Sequence, residues 1–544
     1  MSLFSRSNLL KNIMNQPQKP IYFALTTPLY YVNDVPHIGS AYTTLAADAI
    51  ARFQRLQGKN VLLITGTDEH GQKIQRTAQS QGLEPQQHCD KIATRFEDLW
   101  HKLNIQYDRF SRTTAPKHEK IVKEFFERVW NNDDIYLDRQ QGWYCVSCEE
   151  FKDERELTPQ KHCPIHTNKK AEWRDEENYF FRLSKYQDRL EHLYATRRDF
   201  IQPPSRRNEV LSFVKSGLQD FSISRINMDW GFPIPINPEH TIYVWFDALL
   251  GYVTALLAPE DDPTLENALK NAWPINLHLI GKDILRFHAV YWPAMLFSAG
   301  LEIPDRVFGH GFLTKDGRKM GKTTGNTIDP FNLVDRYGAD AVRYYFLKEI
   351  EFGQDGDFNE NRFVTVLNAD LANDLGNLLN RTLGMAKKYC QAQVPDLTGD
   401  AIAADNPLKL QGIALKPKVI QAYEALNFTQ ACEHIFNLIR ACNKYIDEQA
   451  PWSLYKQKQQ DRVEQVLYAV LESVRLSAYL LSPIVPDLSQ KVYQQLGFSA
   501  NFKARTPLND PLQFEQHAAW GILPPKQALQ KAKPIFPQLE LSEE

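Results

Sequence analysis

A doubly wound parallel-sheet α/β domain, split by an insertion and followed by an all-α helical bundle, is the fold class predicted by the order of apolar runs. Three observations carry it. Between Ile21 and Gly71, two apolar β-leaning runs flank an Ala- and Leu-rich helical stretch, the pattern of a parallel βαβ unit. The α/β pattern resumes at Thr241 and continues to Leu313, so the sheet is assembled from two separated pieces. From about Phe363 to Leu496 nearly every segment has the spacing of long amphipathic helices.

The 544 residues are long enough for three or four domains, and a hydrophobic fraction of 43% supplies large cores. A net charge of −3 gives no global bias, so a nucleic-acid surface would be a local patch. No apolar run is long enough to span a bilayer, and no membrane association is expected. Residues 1–19 carry Arg6, Lys11 and Lys19 without an acid or a secretory apolar stretch, and read as a flexible extension, with a later start at Met14 or a weak transit-like peptide as the alternatives. The seven cysteines do not form a secreted disulfide pattern, which points to a reducing, cytoplasmic setting.

In order, Ile21–Leu25 is the first strand. Thr26-Thr27-Pro28 interrupts it, and Leu29-Tyr30-Tyr31-Val32 follows. Asn33-Asp34-Val35-Pro36 is a helix entrance, and His37-Ile38-Gly39-Ser40 opens a helix that runs to about Gln57. A helix N-terminus presents unpaired N–H groups and partial positive charge, so it can hold a phosphate. His37 can donate to a phosphate oxygen there, and Gly39 lets a nucleotide approach the backbone. An isolated His-x-Gly is more often a surface histidine at a helix start, so this pair needs support from elsewhere. Val61–Ile64 is a buried strand, and Asp68 follows it at the edge where open α/β sheets bind ligands. Gln72 to Leu103 and His118 to Trp130 read as amphipathic helices.

The insertion carries Cys145-x-x-Cys148 and Cys163-x-x-His166. Two matched pairs of this kind are zinc-knuckle spacing, and three thiolates with one imidazole close a tetrahedral structural site. About one Zn²⁺ per chain is expected, with no open position for catalysis. Arg206, Arg207 and Arg225 read as solvated surface arginines rather than phosphate contacts. Thr241 to Asp247 reads as an aromatic strand, Asn276–Gly281 as another, Ile284–Ser298 as a helix and Val307–Leu313 as a further strand. The strand feeds a basic, glycine-punctuated loop in which Lys319 and Lys322 can place ammonium charges on a triphosphate. In the helical region Asn377 and Arg381 are four apart and share a face, and Trp452 lies in Glu448-Gln449-Ala450-Pro451-Trp452. Asn, Arg and Trp read and stack unpaired bases, though alone such residues more often serve packing or capping.

Taken together the motifs resemble the methionyl-tRNA synthetases, a class I aminoacyl-tRNA synthetase family. His37-Ile38-Gly39-Ser40 is similar to the family's HIGH element and Lys319-Met320-Gly321-Lys322-Thr323 to its KMSKS loop. The blocks Thr65–Gly71, Tyr243–Ala248, Gly281–Ile284 and Asp447–Trp452 are similar too, in the same order over about residues 20–500. Ser40 stands in place of the second histidine, and Gly321 and Thr323 in place of two serines, which changes the contacts but not the reaction.

The end over 513–544 is Pro-rich and polar and reads as a surface tail. The resemblance implies a Rossmann-like catalytic domain from 20–120 and 236–328, a connective insertion over 121–235, a stem-contact linker over 329–362 and an anticodon-binding bundle over 363–512. It implies that methionine and ATP form methionyl-adenylate and that the methionyl group passes to tRNA(Met). His37, Gly39, Ser40, Lys319 and Lys322 would hold ATP, with Mg²⁺, and His37, Ser40 and the two lysines would act in catalysis. Asp68 would bind the methionine ammonium. Leu29, Tyr31, Trp245, Tyr252 and His288 would surround the thioether, with Asp283 beside them. Asn377, Arg381 and Trp452 would read the anticodon, and the chain would be a monomer. The alternatives are a class I synthetase for isoleucine, valine, leucine or cysteine, a small-molecule nucleotidyltransferase, and a zinc-dependent RNA-binding protein without catalysis.

Overall fold

The computed structural model describes residues 22–146, 150–152, 154–164, 170–226, 228–320, 326–499, 502 and 513–540. Residues 1–19, Cys148, His166 and Lys322 lie outside the described part, as does the side chain of Lys319. The elements that build the site are β1 (Tyr22–Tyr31), α1 (Ile38–Leu56), β2 (Asn60–Asp68), β3 (Arg109–Arg112), α2 (Pro116–Asn131), β4 (Ile201–Gln202), β5 (Leu277–Gly281) and β6 (Val307–His310).

Six strands form one parallel sheet in the order β3-β2-β1-β5-β6-β4. The strand order reverses between β1 and β5, where Leu25 pairs with Leu277. Chain leaving β1 and β5 at their carboxyl ends therefore departs in opposite directions and opens a crevice. The helix α1 packs against this sheet along almost its whole length, with Leu45, Ala46, Ala49, Ile50 and Phe53 fully or almost fully buried. Its run of alanines lets the helix backbone approach the sheet closely.

Four assignments made from sequence change. Ile201–Gln202, expected inside the insertion, is β4 and pairs with β6 through Val307 and Phe308. A two-residue strand has no periodicity by which to recognise it. The expected strand Thr241–Asp247 divides: Asn237–Ile242 pairs antiparallel with Ser224–Ile226, and Val244–Ala248 is a helix. Tertiary burial of Val244, Phe246 and Asp247 overrides the strand preference of the aromatic run. The chain after 513 is no surface tail, because Phe514, Leu523, Leu529 and Ile535 are buried. Arg475 donates to the carbonyls of His517 and Ala519, and Glu472 accepts from the amide of Gly521. Beyond the short helix Gln513–His517 it runs through turns broken by prolines and so shows no sustained helical period. Arg225 is likewise buried, donating to Ser222 and to the carbonyl of Ser224, rather than solvated.

The insertion is an antiparallel sheet dominated by the long pair Ile135–Cys145 and Glu172–Phe181. The chain then returns to the helical region through Pro330–Tyr337 and α3 (Ala339–Glu349), separated by Gly338 at φ +85°. The bundle that follows contains α4 (Leu378–Tyr389), α5 (Phe428–Gln449), α6 (Pro451–Lys456), α7 (Gln460–Leu481) and α8 (Pro486–Gln495).

A buried charge cluster fastens this bundle to α1. Asp48 accepts from Arg52 at 2.6 Å, meets Arg343 at 2.6 Å and accepts from the amide of Gln106 at 2.8 Å. Arg343 also donates to the carbonyls of Leu103, Pro483 and Ile484. All donors of a buried guanidinium need acceptors, and these carbonyls come from both sides of the junction.

Candidate active site

At the switch point, the carboxyl ends of β1, β2, β5 and β6 surround a cavity of about 390 Å³. Leu29, Tyr31, His37, Gly39, Ser40, Asp68, Trp245 and Asp283 all line it. Residues far apart in sequence meet there because four parallel strands end on the same side of the sheet.

His37 is the N-cap of α1. Its Nδ1 accepts from the amides of Gly39 at 3.0 Å and Ser40 at 3.4 Å. An acceptor Nδ1 leaves the ring proton on Nε2, so neutral His37 presents an N–H donor on its other side. Two amides of the first turn of α1, those of Gly39 and Ser40, are thus engaged by the imidazole itself. Gly39 also has a nearer reason to be glycine than access for a nucleotide, since a Cβ would lie 2.9 Å from His37 Cε1. Tyr30 braces the same turn by donating to the carbonyl of Ser40 at 3.1 Å.

On the other side, Trp245 stacks on Phe287 with centroids 3.8 Å apart and planes 7° from parallel. Tyr252 and His288 are buried and absent from the cavity lining. They hydrogen-bond to each other at 2.7 Å. His288 Nδ1 faces the carbonyl of Ile284 at 3.1 Å, so Nδ1 carries the proton and Nε2 accepts from Tyr252. Burial pushes His288 down to about 4 and the Tyr252 hydroxyl above its ordinary range, so both are neutral. His278 lies alongside, its ring 5.7 Å from that of His288, and burial lowers its pKa well below the usual histidine value. A Cβ on Gly281 would collide with the Asp283 carboxylate, so this glycine lets Asp283 fold back toward the cavity. Lys282 is held away by both carboxylate oxygens of Asp355, at 2.6 and 2.7 Å.

Sequence reasoning missed a buried His–Asp–His set. Asp247 accepts from His70 Nδ1 at 2.5 Å and from His118 Nε2 at 2.7 Å. Burial opposes ionisation, but the two imidazoles outweigh it and hold Asp247 down at about 2. Asp68 lies two residues before His70 and Trp245 two before Asp247, so this set joins two walls of the cavity. Asp247 falls in the block Tyr243–Ala248, but no local spacing pairs it with His70 or His118.

The loop after β6 starts at this cavity, since His310, Gly311, Phe312 and Leu313 line it. Thr314 and Lys315 pair with Lys319 and Arg318 in a short hairpin. The strand Leu313–Lys315 is anchored by parallel pairing with Gly356–Phe358. Cys145 and Cys163 are both buried, and none of the described cysteines is in a disulfide. Their predicted co-ligands Cys148 and His166 lie outside the described residues.

In the bundle, Asn377 donates to Asn373 at 3.2 Å and Arg381 to Asp447 at 3.0 Å. Trp452, at the start of α6, is 38% exposed. The Arg381–Asp447 contact joins the face carrying Asn377 and Arg381 to the block containing Trp452.

Comparison with known proteins adds names to these surfaces. A family model described as tRNA synthetases class I (M) matches residues 23–172 and 160–383. The model for the anticodon binding domain of methionyl tRNA ligase matches residues 407–536. The methionine–tRNA ligase of Synechocystis sp. is 69% identical over 96% of this chain and 98% of its own length. The methionine–tRNA ligase of Nostoc sp. is 68% identical over 97% and 99%. The chloroplastic/mitochondrial methionine–tRNA ligase of Arabidopsis thaliana is 53% identical over 96% and 84%. Mycobacterium tuberculosis methionyl-tRNA synthetase in complex with methionyl-adenylate superposes with a TM-score of 0.86 at 40% identity, covering 95% of this chain and 100% of that one.

Proposed function

The chain belongs to the methionyl-tRNA synthetases, and on that premise we propose that the switch-point cavity is where it forms methionyl-adenylate from methionine and ATP. The activity is methionine–tRNA ligation, driven by ATP. The observation that carries the assignment of the site is the shared wall: Asp68, Leu29, Tyr31 and Trp245 beside His37, Gly39 and Ser40, around one cavity.

In this reading Asp68 receives the methionine ammonium, and the side chain lies among Leu29, Tyr31 and Trp245. Aromatic faces and edges suit a polarisable thioether. Tyr252 and His288, neutral and paired, form a fixed support behind it. The methionine carboxylate attacks the α-phosphorus in line; the bond to the bridging oxygen breaks and pyrophosphate leaves. A hydroxyl of the tRNA 3′-terminal ribose then attacks the methionyl carbonyl, and AMP leaves. His37 offers its Nε2–H to a phosphate oxygen. Lys319 and Lys322 neutralise charge gathering on the departing pyrophosphate, the kind of preorganised stabilisation that lowers a barrier most effectively. Mg²⁺ would accompany ATP as its counter-ion and help neutralise the phosphate charge.

Asn377, Arg381 and Trp452 contact the anticodon, Trp452 by stacking. Cys145, Cys148, Cys163 and His166 would hold one structural zinc. The burial of Cys145 and Cys163 suits thiolates in a closed site. The chain works as a monomer in the cytoplasm, and the described cysteines, all of them thiols, suit a reducing compartment. ATP–pyrophosphate exchange with each amino acid in turn tests the substrate: methionine alone should support exchange, and exchange driven by isoleucine, valine, leucine or cysteine instead would overturn the reading.

A further inference from the structure

His310 ends β6 and lines the cavity, yet neither signature element contains it. The residue is 6% exposed, and its ring packs edge-on against Tyr42 at 5.4 Å and beside Phe352 at 5.5 Å. Nδ1 lies 2.8 Å from the carbonyl oxygen of Gly311, and Nε2 lies 2.6 Å from Thr43 Oγ1. Burial pushes its pKa down to about 4, which leaves one ring proton at neutral pH. A carbonyl only accepts, so that proton sits on Nδ1, and Nε2 accepts the hydroxyl proton of Thr43.

Thr43 belongs to the second turn of α1, and its Oγ1 is also 3.2 Å from the carbonyl oxygen of Gly39. A hydroxyl has a single proton, and the shorter contact to His310 takes the greater share. The turn holding His37, Gly39 and Ser40 is thereby drawn to the end of β6. That end is fixed from its other side. A Cβ on Gly311 would overlap the backbone of Gln354 and Asp355, and the amide of Phe312 donates to Asp355 at 2.8 Å. One rigid point thus meets both the start of α1 and the start of the segment leading to Lys319 and Lys322.

We propose that Thr43 and His310 are positioning residues for ATP: their hydrogen bond sets the first turn of α1 against the end of β6, and so aligns the two phosphate-handling pieces across the cavity. The inference rests on the reading of the cavity as an ATP site. Small displacements of a reacting group are costly, since rate depends steeply on the approach geometry.

The test uses full-length Thr43→Val, Thr43→Ser and His310→Gln in methionine-dependent ATP–pyrophosphate exchange. Methionine binding without ATP is read from intrinsic tryptophan fluorescence. Thr43→Val keeps the shape and removes the hydroxyl. It should lower kcat/KM for ATP about tenfold, the scale of one hydrogen bond, and leave the methionine Kd within about twofold. Thr43→Ser should restore kcat/KM for ATP to within about threefold of wild type, and His310→Gln should lower it in the same direction as Thr43→Val. Unchanged kcat/KM for ATP in Thr43→Val overturns the proposal. Equal loss of methionine affinity and of kcat/KM for ATP overturns it too, by marking the contact as general support. If Thr43→Val does not fold, His310→Gln decides by the same two outcomes. A wild-type chain with no methionine-dependent exchange instead removes the functional reading on which the pairing depends.

Discussion

Asp340 gives the most quantitative prediction. It begins α3 at the junction with α1 and α8, is 8% exposed, and accepts from the amide of Leu488 at 2.6 Å. Burial raises its pKa from 3.8 to about 7; the Asp487 carboxylate adds to the rise, while Leu488, Arg343 and Arg52 oppose it. An acid with a higher pKa folded than unfolded holds its proton better in the folded state. Its contribution is therefore fully present below pH 4 and is lost as pH rises through 7. Integrating between those two values gives a loss of about 2–3 kcal/mol between pH 5 and pH 8. Spread over a cooperative unit of about 200 residues, this is roughly 5–10 °C of melting temperature. Asn at 340 keeps an acceptor for Leu488 and cannot ionise. Thermal melts across pH 5–8 should show the wild type losing that much more than Asp340→Asn. Parallel curves for the two proteins would refute the reasoning, because they would mean that Asp340 ionises as easily in the folded chain as in the unfolded one.

Three further outcomes are expected. Asp48→Asn leaves Arg52 and Arg343 buried without their shared counter-charge and should cost about 3–5 kcal/mol, seen as a melting point lower by roughly 6 °C or more; a shift under about 2 °C would contradict it. Trp452→Ala should impair tRNA charging and leave pyrophosphate exchange intact, whereas equal loss of both would make the tryptophan structural. Metal analysis of the purified chain should find about one zinc, and stripping it with a chelator should lower the melting temperature; protein without stoichiometric zinc would refute the Cys145, Cys148, Cys163 and His166 assignment.

Much of the fold was legible because the elements concerned are long and regular. The β1–α1–β2 unit declares itself through two apolar runs around an alanine-rich helix, and the parallel sheet follows from that pattern. What escaped was short or non-local. β4 has two residues and is a strand only because β6 lies beside it. The helix Val244–Ala248 opposes its own residue preferences, and the buried chain beyond the short helix Gln513–His517 runs through turns with no period to detect. The cavity divides the same way. His37, Asp68 and Trp245 stand in recognisable blocks. By contrast, His70, His118 and Asp247, like Thr43 and His310, acquire meaning only from hydrogen bonds between distant segments. The ring of His37 showed a further limit: sequence marked it as a phosphate donor but could not show that it also caps its own helix.

The most direct test of the central claim, that the His37 helix and the Lys319–Lys322 segment act on one triphosphate, is single-turnover adenylate formation in Lys322→Ala. The rate should fall by roughly 10² to 10³ with methionine affinity unchanged, the scale of one lost transition-state contact. A rate equal to wild type would contradict it.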